Sequence, residues 1–168
     1  MTGWEYHESL RSVVHHHTTE GTFKLSGGGE AGGYLDLRSA LLCHESPTCC
    51  ASRLVLYYTG KIAEIAGDDE GVTVVGTGAF GAALLALLSD ADRGVRLDSY
   101  ALWNPKGHGV AWSGRTGVHA RAVLVDDVVT TGGTLAALRA ATGRLLTSGG
   151  QLVEVLGEAV AVRRGGPA

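Results

Sequence analysis

Residues 123–135, with the sequence VLVDDVVTTGGTL, constrain the fold and chemistry of this chain more than any other segment. A short apolar run predicts a buried β-strand that ends in two carboxylates, Asp126 and Asp127. A threonine- and glycine-rich loop follows, and a helical pattern then begins. Glycines let consecutive backbone N–H groups point toward one anion, and a helix N-terminus favours negative charge. The segment therefore predicts a phosphate cradle preceded by acceptors for sugar hydroxyls.

Other interpretations of this loop fit less well. A helix cap or a strand end would account for one aspartate, but not for two followed by TTGGT. The GxGxxG pattern of dinucleotide-binding loops and the lysine of a P-loop are both absent from the segment.

Strand-like apolar runs alternate with helical patterns along the rest of the chain. Helices are predicted up to about residue 19 and at 51–66, 79–88 and 133–147, and strands at 72–75, 95–102, 121–125, 151–156 and 159–162. The glycine-rich stretch 22–38 predicts a loop or hairpin, and residues 104–117 predict a mobile loop. This alternation predicts an α/β fold with a mostly parallel sheet flanked by helices. Ligands bind such sheets beyond the carboxyl ends of the strands, where Thr77 and Gly78 form a second candidate loop.

Size and composition suit one domain spanning residues 1–168, because 45% of the 168 residues are apolar. The net charge of −3, without blocks of like charge, argues against a nucleic-acid or membrane partner. No apolar run is long enough for a membrane span, and the N-terminus lacks a secretory signal, so we expect a cytoplasmic protein. Three cysteines without a CxxC pair predict neither a disulfide framework nor a zinc site.

The segment 123–135 closely resembles the signature of the type I phosphoribosyltransferases that binds 5-phosphoribosyl-1-pyrophosphate (PRPP). The match has no gap: an apolar strand, two acidic residues, two apolar residues, then T-T-G-G-T. The resemblance implies a Rossmann-like core at about residues 50–163 and a small N-terminal hood at about 1–40. It also implies that Asp126 and Asp127 hold the ribose hydroxyls. The 5-phosphate would lie on the backbone of Thr130, Thr131, Gly132, Gly133 and Thr134.

Three further segments resemble orotate phosphoribosyltransferases in particular. Residues 23–38 are similar to that family's hood, residues 74–81 to its pyrophosphate loop, and 106–109 to the K-x-H-G of its catalytic loop. The resemblance implies transfer of phosphoribose from PRPP to orotate, giving orotidine 5'-phosphate and pyrophosphate. It implies Mg²⁺ bound mainly through the substrate near the two aspartates, and a homodimer with a shared active site. The residues so implied are Lys106, His108 and Asp127 for catalysis, Thr77 and Gly78 for PRPP, and Phe23, Ser26, Tyr34 and Arg163 for the base.

The sequence also departs from the family pattern. Leu102, Trp103 and Phe80 stand at positions where the family usually carries cations, and Val162 replaces the acidic neighbour of Arg163. These departures predict weakened turnover, since the reaction needs charge neutralisation of pyrophosphate. They leave open a transferase for another base or a secondary metabolite, and a non-catalytic regulator that binds PRPP or a nucleotide. The retained Lys106 and His108 favour an enzyme.

Overall fold

Strands and helices alternate in the computed structural model, which describes residues 4–24, 30–42, 50–67, 71–89, 97, 99–104, 109–114 and 117–164. The strands are β1 (Trp4–Tyr6), β2 (Thr18–Lys24), β3 (Glu30–Leu35), β4 (Thr73–Thr77), β5 (Ser99–Asn104), β6 (Gly109–Gly114), β7 (Arg121–Val129) and β8 (Glu154–Arg164). The helices are α1 (Arg11–His17), α2 (Leu37–Leu41), α3 (Cys50–Ala66), α4 (Gly78–Ser89) and α5 (Gly133–Thr142), and a 3₁₀ turn (Glu8–Leu10) precedes α1. None of the helices in these ranges is long and apolar enough to cross a membrane.

The main sheet has the strand order β1-β8-β7-β4-β5-β6. Its four central strands are parallel, and the edge strands β1 and β6 are antiparallel to their neighbours. Strands β2 and β3 form a separate antiparallel hairpin, hereafter the hood hairpin. The predicted α/β class, with a mostly parallel sheet flanked by helices, is confirmed.

Strand β7 runs through the middle of the core and sets the direction of the acidic pair. Val123 and Val125 pack on the side of α3 and α4, whereas Leu124 packs on the side of α5, and all three are fully buried. Successive side chains of a strand point to opposite faces. Continued into Asp126 and Asp127, this alternation directs Asp126 toward the α5 face and Asp127 toward the α3 face.

A close approach between β4 and α4 fixes the second loop at the end of the sheet. A Cβ atom added to Gly76 would lie 3.0 Å from the Cα of Gly81, and one added to Gly81 would lie 2.9 Å from the carbonyl carbon of Gly76. Both positions therefore require glycine, and the helix begins directly after the strand.

Several element boundaries differ from the sequence predictions. The N-terminal helix is confined to Arg11–His17, because Trp4–Tyr6 instead pairs with the end of β8. The predicted loop 104–117 is wrong for Gly109–Gly114, which pairs with β5 as an edge strand. An edge strand obtains its hydrogen bonds from one neighbour and needs no long apolar run, so its glycines suggested a loop.

The end of the chain shows two more differences. The two predicted C-terminal strands are one strand, β8, with Gly157 inside it. A Cβ at Gly157 would lie 2.9 Å from Cγ2 of Ile65, so this glycine marks close packing on α3 rather than a chain break. Helix α5 ends at Thr142, five residues before the predicted end, and Gly143 follows as its C-cap.

Candidate ligand-binding site

Four parallel strands bring candidate residues together at their carboxyl ends. Trp103 lies beside Thr77 in the register of β5 and β4. Gly76 is paired with Val125, which places Thr77 next to Asp126 on β7. Val129 at the end of β7 is paired with Arg163. Neighbouring strands are about 4.8 Å apart, so these positions form one continuous edge.

The acidic pair is held by its own backbone. Asp127 N–H donates to Asp126 Oδ1 at 3.1 Å, and Val128 N–H donates to Asp127 Oδ1 at 2.8 Å. Asp126 is only 6% exposed. Burial, assisted by the charge of Asp127, raises the pKa of Asp126 to about 7. Burial also raises the pKa of Asp127. Asp126 is buried and Asp127 half-buried beside it, and no ion pair to either is found among the residues that the structure describes, so the two carboxylates are suited to a ligand that supplies donors or a metal ion.

The loop after β7 has the backbone geometry of an anion cradle. Gly132 has φ of +78°, the left-handed region that glycine adopts without strain, and α5 begins at the next residue. Gly132, the N-cap residue, makes no side-chain cap bond to the first N–H groups of α5. A Cβ at Gly133 would meet only Thr131 Oγ1, at 3.7 Å, which leaves the space above the loop open. Thr130 and Thr134 are exposed beside it.

The second loop, which joins β4 to α4, exposes its backbone rather than a free side-chain hydroxyl. Gly78 has φ of +63° and open space above it, so its backbone is accessible to a ligand. The Thr77 hydroxyl donates to the carbonyl of Trp103 at 3.4 Å and is largely buried. Phe80, at the place of a family lysine, is a core residue whose ring lies 5.8 Å from that of Tyr58. A cation at that position would be buried in this chain.

The hood hairpin presents an aromatic pair. The rings of Phe23 on β2 and Tyr34 on β3 are 5.7 Å apart and tilted by 40°. Tyr34 is 44% exposed, so it is not a core aromatic, and a planar ligand could pack on it.

The Tyr34-Asp36-Arg38 pattern forms a chain of hydrogen bonds. Asp36 caps α2 by accepting from the Arg38 and Ser39 N–H groups. Arg38 Nε donates to Asp36 Oδ1 at 3.3 Å, and its terminal nitrogen donates to the Tyr34 hydroxyl at 3.0 Å. The Arg38 charge also lowers the pKa of Asp127, against the larger effect of burial. The sequence analysis placed Arg38 in the hood pattern but gave it no site role.

Arg163 has an acidic partner that the sequence analysis missed. Glu158, five residues earlier on β8, lies 3.4 Å from Arg163 and 3.1 Å from Arg139 on α5. Val162 stands where an acidic neighbour of Arg163 was expected. Glu158, on the same strand, provides that carboxylate instead. Strand alternation alone would not have paired Glu158 with Arg163, because side chains five residues apart on a strand point to opposite faces.

Three predicted site residues, Ser26, Lys106 and His108, lie outside the described residues. The strands around Lys106 and His108 are described: β5 ends at Asn104 and β6 begins opposite it at Gly109. This end of β5 is at the same edge as Asp126. Leu102 and Trp103 lie within β5 and are half-buried against the core, not in a loop.

Within the described ranges, no group of three or more His, Cys, Asp or Glu side chains could hold a metal ion by itself. Asp126 and Asp127 supply oxygen ligands only, which suits Mg²⁺ coordinated mostly by substrate oxygens and water. The residues present therefore fit a substrate-borne Mg²⁺ better than a resident metal.

Comparisons with known proteins bear on the fold. No protein-family model matches the chain, and no curated protein matches its sequence. Among solved structures, orotate phosphoribosyltransferase from Aeropyrum pernix matches with a TM-score of 0.55 and 24% identity, over 93% of this chain and 92% of that one. The Mycobacterium tuberculosis H37Rv orotate phosphoribosyltransferase in complex with PRPP matches with a TM-score of 0.51 and 19% identity, over 90% and 78%.

An adenine phosphoribosyltransferase is also similar, with a TM-score of 0.52 and 15% identity, over 88% of both chains. Enzymes for two different bases thus share this architecture. The chain has the fold of the type I phosphoribosyltransferases.

Proposed function

We propose that this chain binds PRPP at the carboxyl edge of its sheet and transfers the phosphoribosyl group to a nucleobase, releasing pyrophosphate. One observation carries the proposal. The acidic pair, of which Asp126 is buried, runs directly into a glycine-shaped loop at the N-terminus of α5, in a fold shared with an enzyme solved with PRPP. A sugar phosphate has hydroxyls for the carboxylates and an anion for the loop.

The proposed contacts follow from that arrangement. In this proposal the ribose hydroxyls donate to the carboxylates of Asp126 and Asp127, whose Oδ1 atoms accept from backbone N–H groups. The backbone and hydroxyls of residues 130–134 hold the 5-phosphate, and Thr77 and Gly78 contact the pyrophosphate through their backbone. Negative charge at the start of α5 is favoured by the helix dipole.

Breaking the bond between ribose C1 and the pyrophosphate oxygen builds positive charge on the sugar and negative charge on the leaving group. In this proposal the Asp127 carboxylate stabilises the sugar charge, and Lys106 and His108 stabilise the pyrophosphate. When bound with PRPP, Mg²⁺ would supply further neutralisation of the pyrophosphate oxygens. The segment between β5 and β6 would close over the ligand and exclude water.

The proposed acceptor is orotate, a planar base with a carboxylate. Tyr34 and Phe23 offer a surface for the ring, and Ser26 is a proposed polar contact. Arg163 and Arg38 are the proposed cationic contacts of the orotate carboxylate, although both also bond to a carboxylate of the chain. An anionic base suits these cations better than a neutral purine does.

A panel of bases tests the acceptor. With Mg²⁺ and PRPP, we expect orotate to be consumed slowly, about 10³-fold below a relative that carries all the loop cations, since each missing charged contact is worth about 1.5–3 kcal/mol. Absorbance at the orotate band and pyrophosphate release across orotate, uracil, adenine and hypoxanthine measure this. Faster turnover of another base would move the assignment to a different acceptor.

A non-catalytic PRPP-binding regulator is the second candidate, favoured by the apolar residues Leu102 and Trp103 in β5 and by the core position of Phe80. Tight PRPP binding with no pyrophosphate release on any base would support it and exclude the enzyme.

The proposed assembly is a homodimer in which the segment containing Lys106 serves the partner's site. Mixing a Lys106→Ala subunit with an Asp127→Asn subunit should then restore about a quarter of wild-type activity, because random pairing leaves one intact site in half of the dimers. Light scattering gives the assembly state. A mixture as inactive as its parents would show that each site is built within one chain.

A further inference from the structure

Tyr58, in the middle of α3, reaches the acidic pair from the core. Its side chain is fully buried, and its ring lies 5.8 Å from that of Phe80 and 5.3 Å from that of Tyr57. Its hydroxyl donates to the carbonyl oxygen of Asp126 at 2.7 Å and accepts from the N–H of Ala161 at 3.1 Å. One side-chain oxygen therefore joins β7 to β8 beside the acidic pair.

The bridge lies at a specific step of the strand pairing. Asp126 is paired with Val160, and Val128 with Val162, so Ala161 lies across from Asp127. Parallel strands are ordinarily joined by direct N–H···O=C bonds. At this step a carbonyl of one strand and an amide of the other share the hydroxyl of a residue from a helix.

The Asp126 carbonyl and the Asp127 N–H belong to the same planar peptide. The oxygen side of that peptide is fixed by Tyr58, and its N–H donates to Asp126 Oδ1 at 3.1 Å. The next N–H, that of Val128, holds Asp127 Oδ1 at 2.8 Å. The hydroxyl therefore anchors the peptide from which both carboxylates are oriented.

We propose that Tyr58 is a positioning residue for the acidic pair, holding the Asp126–Asp127 peptide so that both carboxylates face a bound sugar phosphate. The ligand in this statement rests on the proposed function, whereas the orientation is a property of the ligand-free chain. The ring is clamped by the core, so the hydroxyl is a fixed point. Burial also raises the pKa of Tyr58 well above its usual range, which keeps the hydroxyl protonated as a donor.

Tyr57 provides a matched control. Its hydroxyl also donates to a carbonyl of the sheet, that of Val160, at 2.7 Å, but it makes no bond to the acidic pair. Tyr57→Phe and Tyr58→Phe each remove one hydroxyl from α3 and keep the ring that fills the core. We expect Tyr58→Phe to raise the Kd for Mg²⁺–PRPP on the order of tenfold, as losses of supporting contacts around a binding site do. Tyr57→Phe should stay within about twofold of wild type.

A second readout needs no ligand and separates positioning from stability. Carbon-13 NMR at a single pH follows the chemical shifts of the Asp126 and Asp127 carboxyl carbons, whose Oδ1 atoms accept from the N–H groups of Asp127 and Val128. Tyr58→Phe should displace both carboxyl resonances, because it frees the peptide between them, and Tyr57→Phe should leave them at their wild-type positions. Unchanged resonances in Tyr58→Phe, or equal changes in both variants, would overturn the positioning role. A wild type that does not bind PRPP would instead refute the proposed function, and the NMR comparison would still decide the role of Tyr58.

Discussion

Replacing Asp126 and Asp127 together by asparagine should abolish PRPP binding while making the ligand-free protein more stable. PRPP binding is lost because asparagine cannot provide the negative charge and the acceptor oxygens that the ribose and the PRPP-bound metal require. The free energy of unfolding rises because two like charges are removed from a buried edge. The hydrogen bond from the N–H of residue 127 is kept, since an amide oxygen can still accept it.

The increase in stability of the double variant over wild type depends on pH with a defined sign. Burial raises the pKa of Asp126 from 3.8 to about 7 in the folded chain, so the folded state holds a proton that the unfolded state releases. The free energy of unfolding contributed by this group therefore falls as the pH rises from about 4 to about 7, by at most about 4 kcal/mol. The melting temperature of the variant should equal that of wild type near pH 4 and exceed it by several degrees above pH 7.

Glu154→Gln is the control, because Glu154 is an exposed carboxylate at the opposite end of β8 that pairs with Arg121 at 3.8 Å. It should leave both PRPP affinity and the melting temperature close to wild type. If the double asparagine variant instead bound PRPP normally and only melted earlier, the aspartates would be structural groups at a strand end.

Gly133→Val should eliminate PRPP binding, raising the Kd by more than about 100-fold, while the fold survives. The position is the first residue of α5, and in the ligand-free chain a Cβ there meets only Thr131 Oγ1, at 3.7 Å. The valine methyl groups would occupy the space where a phosphate must approach the N–H groups. Gly133 is a cleaner test than Gly132, whose φ of +78° would strain any other residue whatever the ligand.

Gly60→Val makes the same change on α3, where a Cβ meets nothing within 4 Å. Calorimetry with Mg²⁺–PRPP and a thermal melt on both variants give the comparison. Equal affinity in the two would mean that the loop after β7 is not the phosphate cradle.

The acidic pair and its loop could be predicted from sequence because their chemistry is local. The strand, the two aspartates, the left-handed Gly132 and the helix start are consecutive residues, so one segment specifies the geometry. Tyr34, Asp36 and Arg38 also lie within five residues, and Arg38 bonds to both of the others, but no site role was predicted for Arg38.

Residues whose partners are distant in sequence could not be assigned in this way. Tyr58 reads as one more apolar position on α3, and its role depends on Asp126 and Ala161, 68 and 103 residues away. Gly157 in β8 resembles a chain break in the sequence because Ile65, which packs against it, lies on another element. Phe80 likewise stands at the sequence position where the resembled pattern has a lysine. Position alone does not show that its ring packs against Tyr58 in the core.

The binding of PRPP to the wild-type chain tests the central claim most directly. Titration calorimetry in the presence of Mg²⁺ should give one site per chain with a Kd between about 1 μM and 1 mM, the range of ordinary substrate affinities. Ribose 5-phosphate should compete for the same site, because the acidic pair and the loop would bind the ribose and the phosphate that both ligands share. An absence of heat with either ligand at millimolar concentration, from a chain shown to be folded, would contradict the account.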